Sequence, residues 1–182
     1  MKNRTWTRLF FAASLSIVGV ALISGCSSCK PGKPGPISKY NVEVHVDESL
    51  KSSSVIVDLV GVNGANLACW EAYDMSRYWR ENDSMRRDAD KVVLSFVSSQ
   101  TLSNSLPVTD QKWDQWKAKG VTHLLVLADL PSAGLSSKNG NEDARRQILP
   151  LDKCNWPSGT KTLSVQVQRS GIVTVTPLRF PK

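Results

Sequence analysis

The sequence predicts a mainly β protein, a two-sheet β-sandwich with one or two short inserted helices. Three observations support this class. Roughly seven short segments carry alternating or continuous apolar residues. Most of these segments are joined by polar turns, as in β-hairpins. The regular strand–helix–strand alternation of a parallel sheet is missing, which disfavours an α/β fold.

The first two predicted strands are separated by a polar loop. Residues 40–46 alternate apolar and polar side chains, which indicates a strand with one buried face. Residues 55–62 form a second strand that is apolar on both faces except for Asp58. The loop between them carries one large apolar residue, Leu50, which we expect to be exposed.

A helix is predicted to follow the second strand. Apolar residues recur there at helical spacing, at Ala68, Ala72, Met75 and Trp79. Such a stripe is more typical of core packing than of a ligand-binding cage. Residues 81–90 are then predicted to be a charged connector, and residues 92–97 a third strand.

A second short helix is predicted around Trp113 and Trp116, which share one helix face. Thr109 or Asp110 can cap its start, and Gly120 ends it. Four strand segments remain in the second half of the domain. Of these, residues 121–130 are the most apolar and are predicted to be central. The others are residues 147–151, 163–168 and 172–176, the last two forming a hairpin.

The N-terminus is typical of an export signal. Basic residues precede an apolar run of 15 residues that ends at Ile23. A membrane-spanning helix needs about 20 residues. The sequence Leu22-Ile23-Ser24-Gly25-Cys26 resembles a bacterial lipobox, whose cysteine is acylated with fatty acids such as palmitate. A plain signal peptide or a membrane anchor that happens to contain Cys26 is the alternative.

Three regions follow from this boundary. Residues 1–25 are a signal peptide, residues 26–39 a tether rich in Pro, Gly and Lys, and residues 40–182 the β-sandwich domain. Family knowledge of lipoprotein sorting suggests that Ser27, instead of an aspartate, favours the outer membrane. Two or more acyl chains are needed for a stable anchor.

Four cysteines need separate interpretations. Cys26 is the predicted lipid site, so its CxxC spacing with Cys29 is not a redox motif. In an oxidising compartment we predict a disulfide between Cys69 and Cys154, with Cys29 left in the tether. Sequence alone leaves the pairing open. We expect no metal site, because no zinc-binding signature accompanies these cysteines.

Composition and motifs argue against two other classes of function. The net charge of +7 falls to +4 without residues 1–25, which carry three basic residues and no acidic ones. This excess is scattered and forms no basic stripe with interleaved aromatics, so we expect no nucleic-acid partner. His45 and His123 lie outside recognisable catalytic motifs, and residues 142–146 are interpreted as a solvated charge cluster. We therefore expect neither an enzyme nor a small-molecule substrate or cofactor.

The order of these segments resembles the TssJ family, the outer-membrane lipoproteins of type VI secretion systems. A lipobox and tether precede Val42-Glu-Val-His-Val46, a polar loop, and Val55-Ile-Val-Asp-Leu-Val60. A helical segment, a central apolar strand at residues 121–128 and a closing hairpin follow. The Asn-Pro pair that the family usually carries after its loop leucine is replaced by Lys51-Ser52.

The resemblance implies a lipidated, transthyretin-like sandwich with an inserted helical element. It also implies a scaffold that docks an inner-membrane TssM-like protein to the outer membrane. The family's contact loop corresponds to Glu48, Ser49, Leu50, Lys51, Ser52 and Ser53. The alternatives are another envelope-binding lipoprotein, such as a pilotin or a periplasmic inhibitor, and an unrecognised hydrolase.

Overall fold

The computed structural model describes residue 29 and residues 35–97, 101–131 and 143–179. Its strands form two four-stranded sheets, so the prediction of a transthyretin-like two-sheet sandwich with short inserted helices is confirmed. The described residues contain eight strands rather than seven, because residues 103–106, which were not predicted to be a strand, pair with the first strand. The strands are β1 Asn41–Val46, β2 Val55–Asn63, β3 Lys91–Phe96, β4 Ser103–Leu106, β5 Val121–Ala128, β6 Arg146–Pro150, β7 Thr162–Gln168 and β8 Gly171–Thr174.

The two sheets differ in strand direction, because the first sheet contains one parallel pair of strands. The first sheet has the order β4-β1-β7-β8, and the second has the order β3-β2-β5-β6. Strands β1 and β7 run parallel, from Asn41 opposite Thr162 to Val46 opposite Val167. The other pairings within the two sheets are antiparallel. The expected hairpin of β7 and β8 and the central position of β5 are both observed.

The main core lies between the two sheets. Because side chains alternate between the two faces of a strand, every second residue points into this core. Alternate residues of β1 and β7 are buried and face the apolar side chains of β2 and β5. Large aromatic residues fill the ends of this core. The aromatic members are Tyr40, Phe96, Trp113, Trp116 and Trp156.

The predicted single helix after β2 is wrong. The structure has three short helices there, α1 Leu67–Ala72, α2 Met75–Tyr78 and α3 Ser84–Asp88. The backbone becomes extended at Tyr73 and Asp74, and the Asp74 carboxylate then caps α2 by accepting the Ser76 N–H. Ala68 and Ala72, which belonged to the predicted stripe, are exposed. We call residues 64–90 the helical insert.

The helical insert covers the outer face of the second sheet. Trp70, Met75 and Tyr78 are buried against outward-facing side chains of β2 and β5. These two strands are therefore buried on both faces, which explains why they are apolar throughout. The predicted charged connector at residues 81–90 is part of this insert and contains α3.

The fourth helix, α4 Lys112–Ala118, confirms the prediction for this segment. The Asp110 carboxylate accepts the Lys112 N–H at 2.7 Å. Trp113 and Trp116 are buried and pack edge to face, with ring centroids 5.2 Å apart. Gly120 has a φ of +67°, a conformation that favours glycine at a helix end.

Candidate functional site

The predicted contact loop, residues 48–53, is an ordered turn that follows the end of β1 in the first sheet. A 3-10 turn, Glu48–Leu50, opens it, and the Asp47 carboxylate accepts the Ser49 N–H at 2.9 Å. These hydrogen bonds from Ser49 lower the pKa of Asp47, because they favour its charged form. The loop is therefore shaped by local hydrogen bonds before any partner binds.

Leu50 does not have the exposed position that the sequence predicts. Its exposed fraction is 2%, and it packs in the main core with residues of both sheets. The short turn directs this one apolar side chain inward, because burying it is more favourable than leaving it in water. The other residues of the loop are exposed: Glu48, Ser49, Lys51, Ser52 and Ser53.

The loop is also held from the side by the turn between β7 and β8. The Arg169 guanidinium donates to the Ser49 carbonyl at 2.9 Å, across a shallow cleft of about 450 Å³. The Gln166 amide donates to the Asp47 carboxylate at 3.4 Å. Within the loop, Lys51 and Glu48 form an exposed ion pair at 3.3 Å. The exposed surface of the loop therefore carries one negative charge, Glu48, and one positive charge, Lys51, and its other exposed residues are serines.

The predicted disulfide between Cys69 and Cys154 is wrong. Cys154 is bonded to Cys29, with their Cα atoms 5.4 Å apart, and Cys69 is free and exposed. The tether does not stand clear of the domain. Its last residues pair with the segment before Cys154, through an isolated bridge between Ile37 and Asp152. Cys69 lies on α1, outside the second sheet, and no thiol is bonded to it.

The disulfide and the contact loop lie at opposite ends of the first sheet. β1 and β7 are parallel, and both begin near Cys154 and end at the contact loop. Six residues of β1 separate the two ends, a distance of roughly 20 Å. We call the end that holds the disulfide the tether end, and the end that holds residues 48–53 the loop end.

A buried polar network attaches the helical insert to the second sheet. Asp58 on β2 is fully buried and accepts hydrogen bonds from the Tyr78 hydroxyl at 2.9 Å and the Arg86 guanidinium at 3.0 Å. Arg86 also stacks over Trp79, 4.4 Å from the ring centroid. Burial, and then the neighbouring Asp58 carboxylate, raise the pKa of Tyr78. Asp58 is therefore a structural anchor.

Arg145 and Arg146, interpreted as part of a solvated charge cluster, are buried as well. Arg145 forms a two-pronged ion pair with Asp143 and donates to the Ser76 hydroxyl. Arg146 donates to the carbonyls of Trp70 and Tyr73, at the end of α1. The interpretation is wrong because the insert covers both side chains, and Arg146 satisfies backbone carbonyls at the end of α1.

The two histidines lie on different strands, His45 on β1 and His123 on β5, and have different surroundings. His45 is half exposed on the polar face of β1, 3.7 Å from the Glu43 carboxylate. His123 contacts the Thr122 hydroxyl, and burial lowers its pKa. Among residues 29, 35–97, 101–131 and 143–179, no group of three potential ligands is placed to hold a metal ion.

The predicted lipid site, Cys26, and the predicted signal peptide lie outside the described residues. The described part of the tether is Cys29 and residues 35–39. In the part of the chain that the structure describes, no helix has the length and apolar character needed to span a bilayer.

Sequence reasoning missed the attachment of the insert, although one signal was visible. Asp58 is the single charged residue in an otherwise apolar strand. A carboxylate buried there requires hydrogen-bond donors. A search for arginine and tyrosine partners would have suggested that residues beyond 75 fold back over β2.

No protein-family model matches the chain, and no curated protein matches it either. Among solved structures, the chain is similar to two type VI secretion lipoproteins. One is Lip from Serratia marcescens, a membrane-bound component of that system, with 15% identity and a TM-score of 0.47 over 79% of this chain and 100% of that chain. The other is the lipoprotein TssJ1 from Pseudomonas aeruginosa, with 13% identity and a TM-score of 0.43 over 81% of this chain and 100% of that chain.

Proposed function

We propose that this chain is a lipid-anchored scaffold of a type VI secretion membrane complex. In this role Cys26 carries the lipid, and the domain lies on the periplasmic face of the outer membrane. The loop end contacts the periplasmic part of a TssM-like inner-membrane protein. The domain thereby links the two membranes.

The observation that carries the proposal is the separation of the two ends of the domain. A scaffold between a membrane and a partner needs an attachment point and a contact surface that do not obstruct each other. Cys29, close to the lipid site in sequence, is fixed at the tether end. The exposed loop lies at the other end of β1. The lipobox and the order of the segments also support this proposal.

The burial of Leu50 changes the expected contact surface. Leu50 is unavailable as an interface anchor, and it instead fixes the shape of the loop from below. The proposed contacts are the exposed side chains of Glu48, Ser49, Lys51, Ser52 and Ser53. Such a charged, serine-rich surface favours specificity and association rate over high affinity.

The test of docking exchanges the two loop charges. The double variant Glu48→Lys with Lys51→Glu keeps an ion pair in the loop but inverts the charge pattern that a partner meets. We expect binding to the periplasmic domain of a candidate TssM-like protein to weaken by about tenfold or more. The thermal midpoint should stay unchanged, because exposed ion pairs contribute little to stability.

The matched control exchanges two exposed neighbouring charges in the helical insert, Arg80→Glu with Glu81→Arg. This control should bind as well as the parent chain. Equal binding by both double variants would reject the loop as the contact surface. Lipidation is tested separately, because palmitate labelling in cells should disappear in Cys26→Ser.

A further inference from the structure

The disulfide brings the lipid site close to the folded domain. Cys26 and Cys29 are three residues apart in sequence, a reach of at most about 11 Å. Without the disulfide, the nine residues from Cys26 to Gly35, where backbone contacts with the domain begin, could span about 32 Å. The bond between Cys29 and Cys154 therefore turns a long tether into a short one. A domain on such a short attachment presents its tether end to the bilayer.

The tether end carries a basic cleft. This cleft has a volume of about 890 Å³, and its base includes Tyr40 and Trp156. Four cationic residues from different segments line it, and all four are exposed: Lys39, Lys153, Lys161 and Arg179. Residues distant in sequence are thus gathered at the end where the chain meets its lipid.

Nearby carboxylates offset only part of this charge. Asp114 is exposed and pairs with Lys39 at 2.5 Å. The Asp152 carboxylate accepts backbone N–H groups of Gly35 and Cys154, so it is engaged in holding the tether against the domain. Neither carboxylate is paired with Lys161 or Arg179 through a contact that the structure shows, and the cleft has a net positive charge.

We propose that this basic cleft binds the phosphate groups of anionic lipid headgroups, so that the tether end rests on the membrane surface. The inference rests on the proposed function only for the location of the lipid at Cys26. The acyl chains hold the protein at the bilayer, and the cationic residues fix which end faces it. The loop end then points away from the membrane.

Lipid headgroups fit the cleft better than a protein partner does. The cationic side chains surround an open cleft within reach of the lipid site, where anionic headgroups are present at high local density. Basic residues next to a bilayer gain about 1 kcal/mol each from anionic lipid, and this attraction falls with ionic strength. Even with Lys39 paired to Asp114, the remaining cations are sufficient to orient a domain that is already anchored.

The test measures binding to vesicles without the acyl anchor. Residues 27–182 retain the disulfide cysteines and every buried side chain of both core clusters, which lie between residues 40 and 172. We expect this chain to bind phosphatidylethanolamine vesicles with roughly 30% phosphatidylglycerol about tenfold more strongly than vesicles of neutral lipid. The difference should vanish in about 0.5 M salt, where screening is strong.

Charge reversal shows which residues are responsible. Lys153→Glu, Lys161→Glu and Arg179→Glu together should abolish the preference for anionic lipid. A milder variant, Lys161→Gln with Arg179→Gln, should remove most of this preference for anionic lipid. It tests the proposal even where the triple variant folds poorly.

The matched control reverses three exposed cations outside the cleft, Arg80, Arg87 and Lys117. It changes the net charge by the same amount and should bind nearly as well as the parent chain. Equal losses of vesicle binding in the triple variant and the control would overturn the proposal. Equal binding of the parent chain to vesicles with and without phosphatidylglycerol would also overturn it. Because residues 27–182 lack Cys26, neither result depends on whether that cysteine is acylated.

Discussion

The tether end and the loop end hold their connecting segments in different ways. At the tether end, a covalent bond joins Cys29 to Cys154, and backbone pairing at Ile37 supports it. At the loop end, a buried leucine, a capping aspartate and a guanidinium hold the loop. The attachment of the tether is therefore independent of core packing, whereas the shape of the loop depends on it.

This difference has a consequence for function. A covalent attachment keeps the proposed lipid site near the domain even when the core loosens, as long as the bond remains oxidised. The loop keeps its shape only while Leu50 stays packed. The exposed residues of the loop can therefore change with little effect on folding, whereas Leu50 cannot.

The largest expected effect is at the loop end. Leu50→Ala should lower the free energy of unfolding by about 2–5 kcal/mol, because it leaves a cavity in the main core. Urea unfolding measures this loss. Ser52→Ala in the same loop is exposed and should stay within about 0.5 kcal/mol. A similar small change in Leu50→Ala would show that Leu50 does not contribute to the core.

The second prediction concerns the tether end. Cys29→Ser should lower the free energy of unfolding by about 2–4 kcal/mol, because the disulfide closes a loop with a sequence separation of 125. Cys69→Ser is the control, since Cys69 is free and exposed, and it should change stability by less than about 0.5 kcal/mol. Peptide mapping without reduction that links Cys154 to Cys69 would contradict the assignment.

The sequence predicted the first sheet better than the surroundings of the second. Alternation in residues 40–46 and 163–168 places apolar side chains on one face, and the structure buries that face. For β2, continuous apolar residues predicted a strand buried on both faces but did not reveal what covers it. The helical insert covers it through contacts that depend on long-range folding, such as Arg146 with the carbonyls of α1.

Two errors at the candidate site have one physical cause. The sequence shows composition along the chain, whereas the pairing of Cys29 and the burial of Leu50 depend on where the chain folds back. The tether looked like a free linker because Pro and Gly have no core face, yet its backbone pairs with the segment before Cys154. The loop looked solvated because five of its six residues are polar.

The third prediction is a dependence on pH at the loop end. Hydrogen bonds from Ser49 lower the pKa of Asp47 below its ordinary value of 3.8. The charged carboxylate therefore stabilises the turn above that value, and this contribution is lost as the pH falls through the lowered pKa. Amide exchange at Ser49 should accelerate in strong acid. Asp47→Asn, which keeps an acceptor but does not titrate, should remove this acceleration.

The smallest expected effect on stability comes from Arg169, which joins the β7–β8 turn to the loop. Its hydrogen bond to the Ser49 carbonyl is exposed, so Arg169→Ala should change the free energy of unfolding by less than about 0.5 kcal/mol. If the loop contacts a partner, however, a looser loop must be ordered on binding, which weakens the complex by roughly fivefold. Arg169→Lys, which retains a donor and the charge, should recover part of that affinity. Unchanged partner binding in Arg169→Ala, together with weakened binding in the exchange of Glu48 and Lys51, would show that the loop binds through its charges and needs no support from the neighbouring turn.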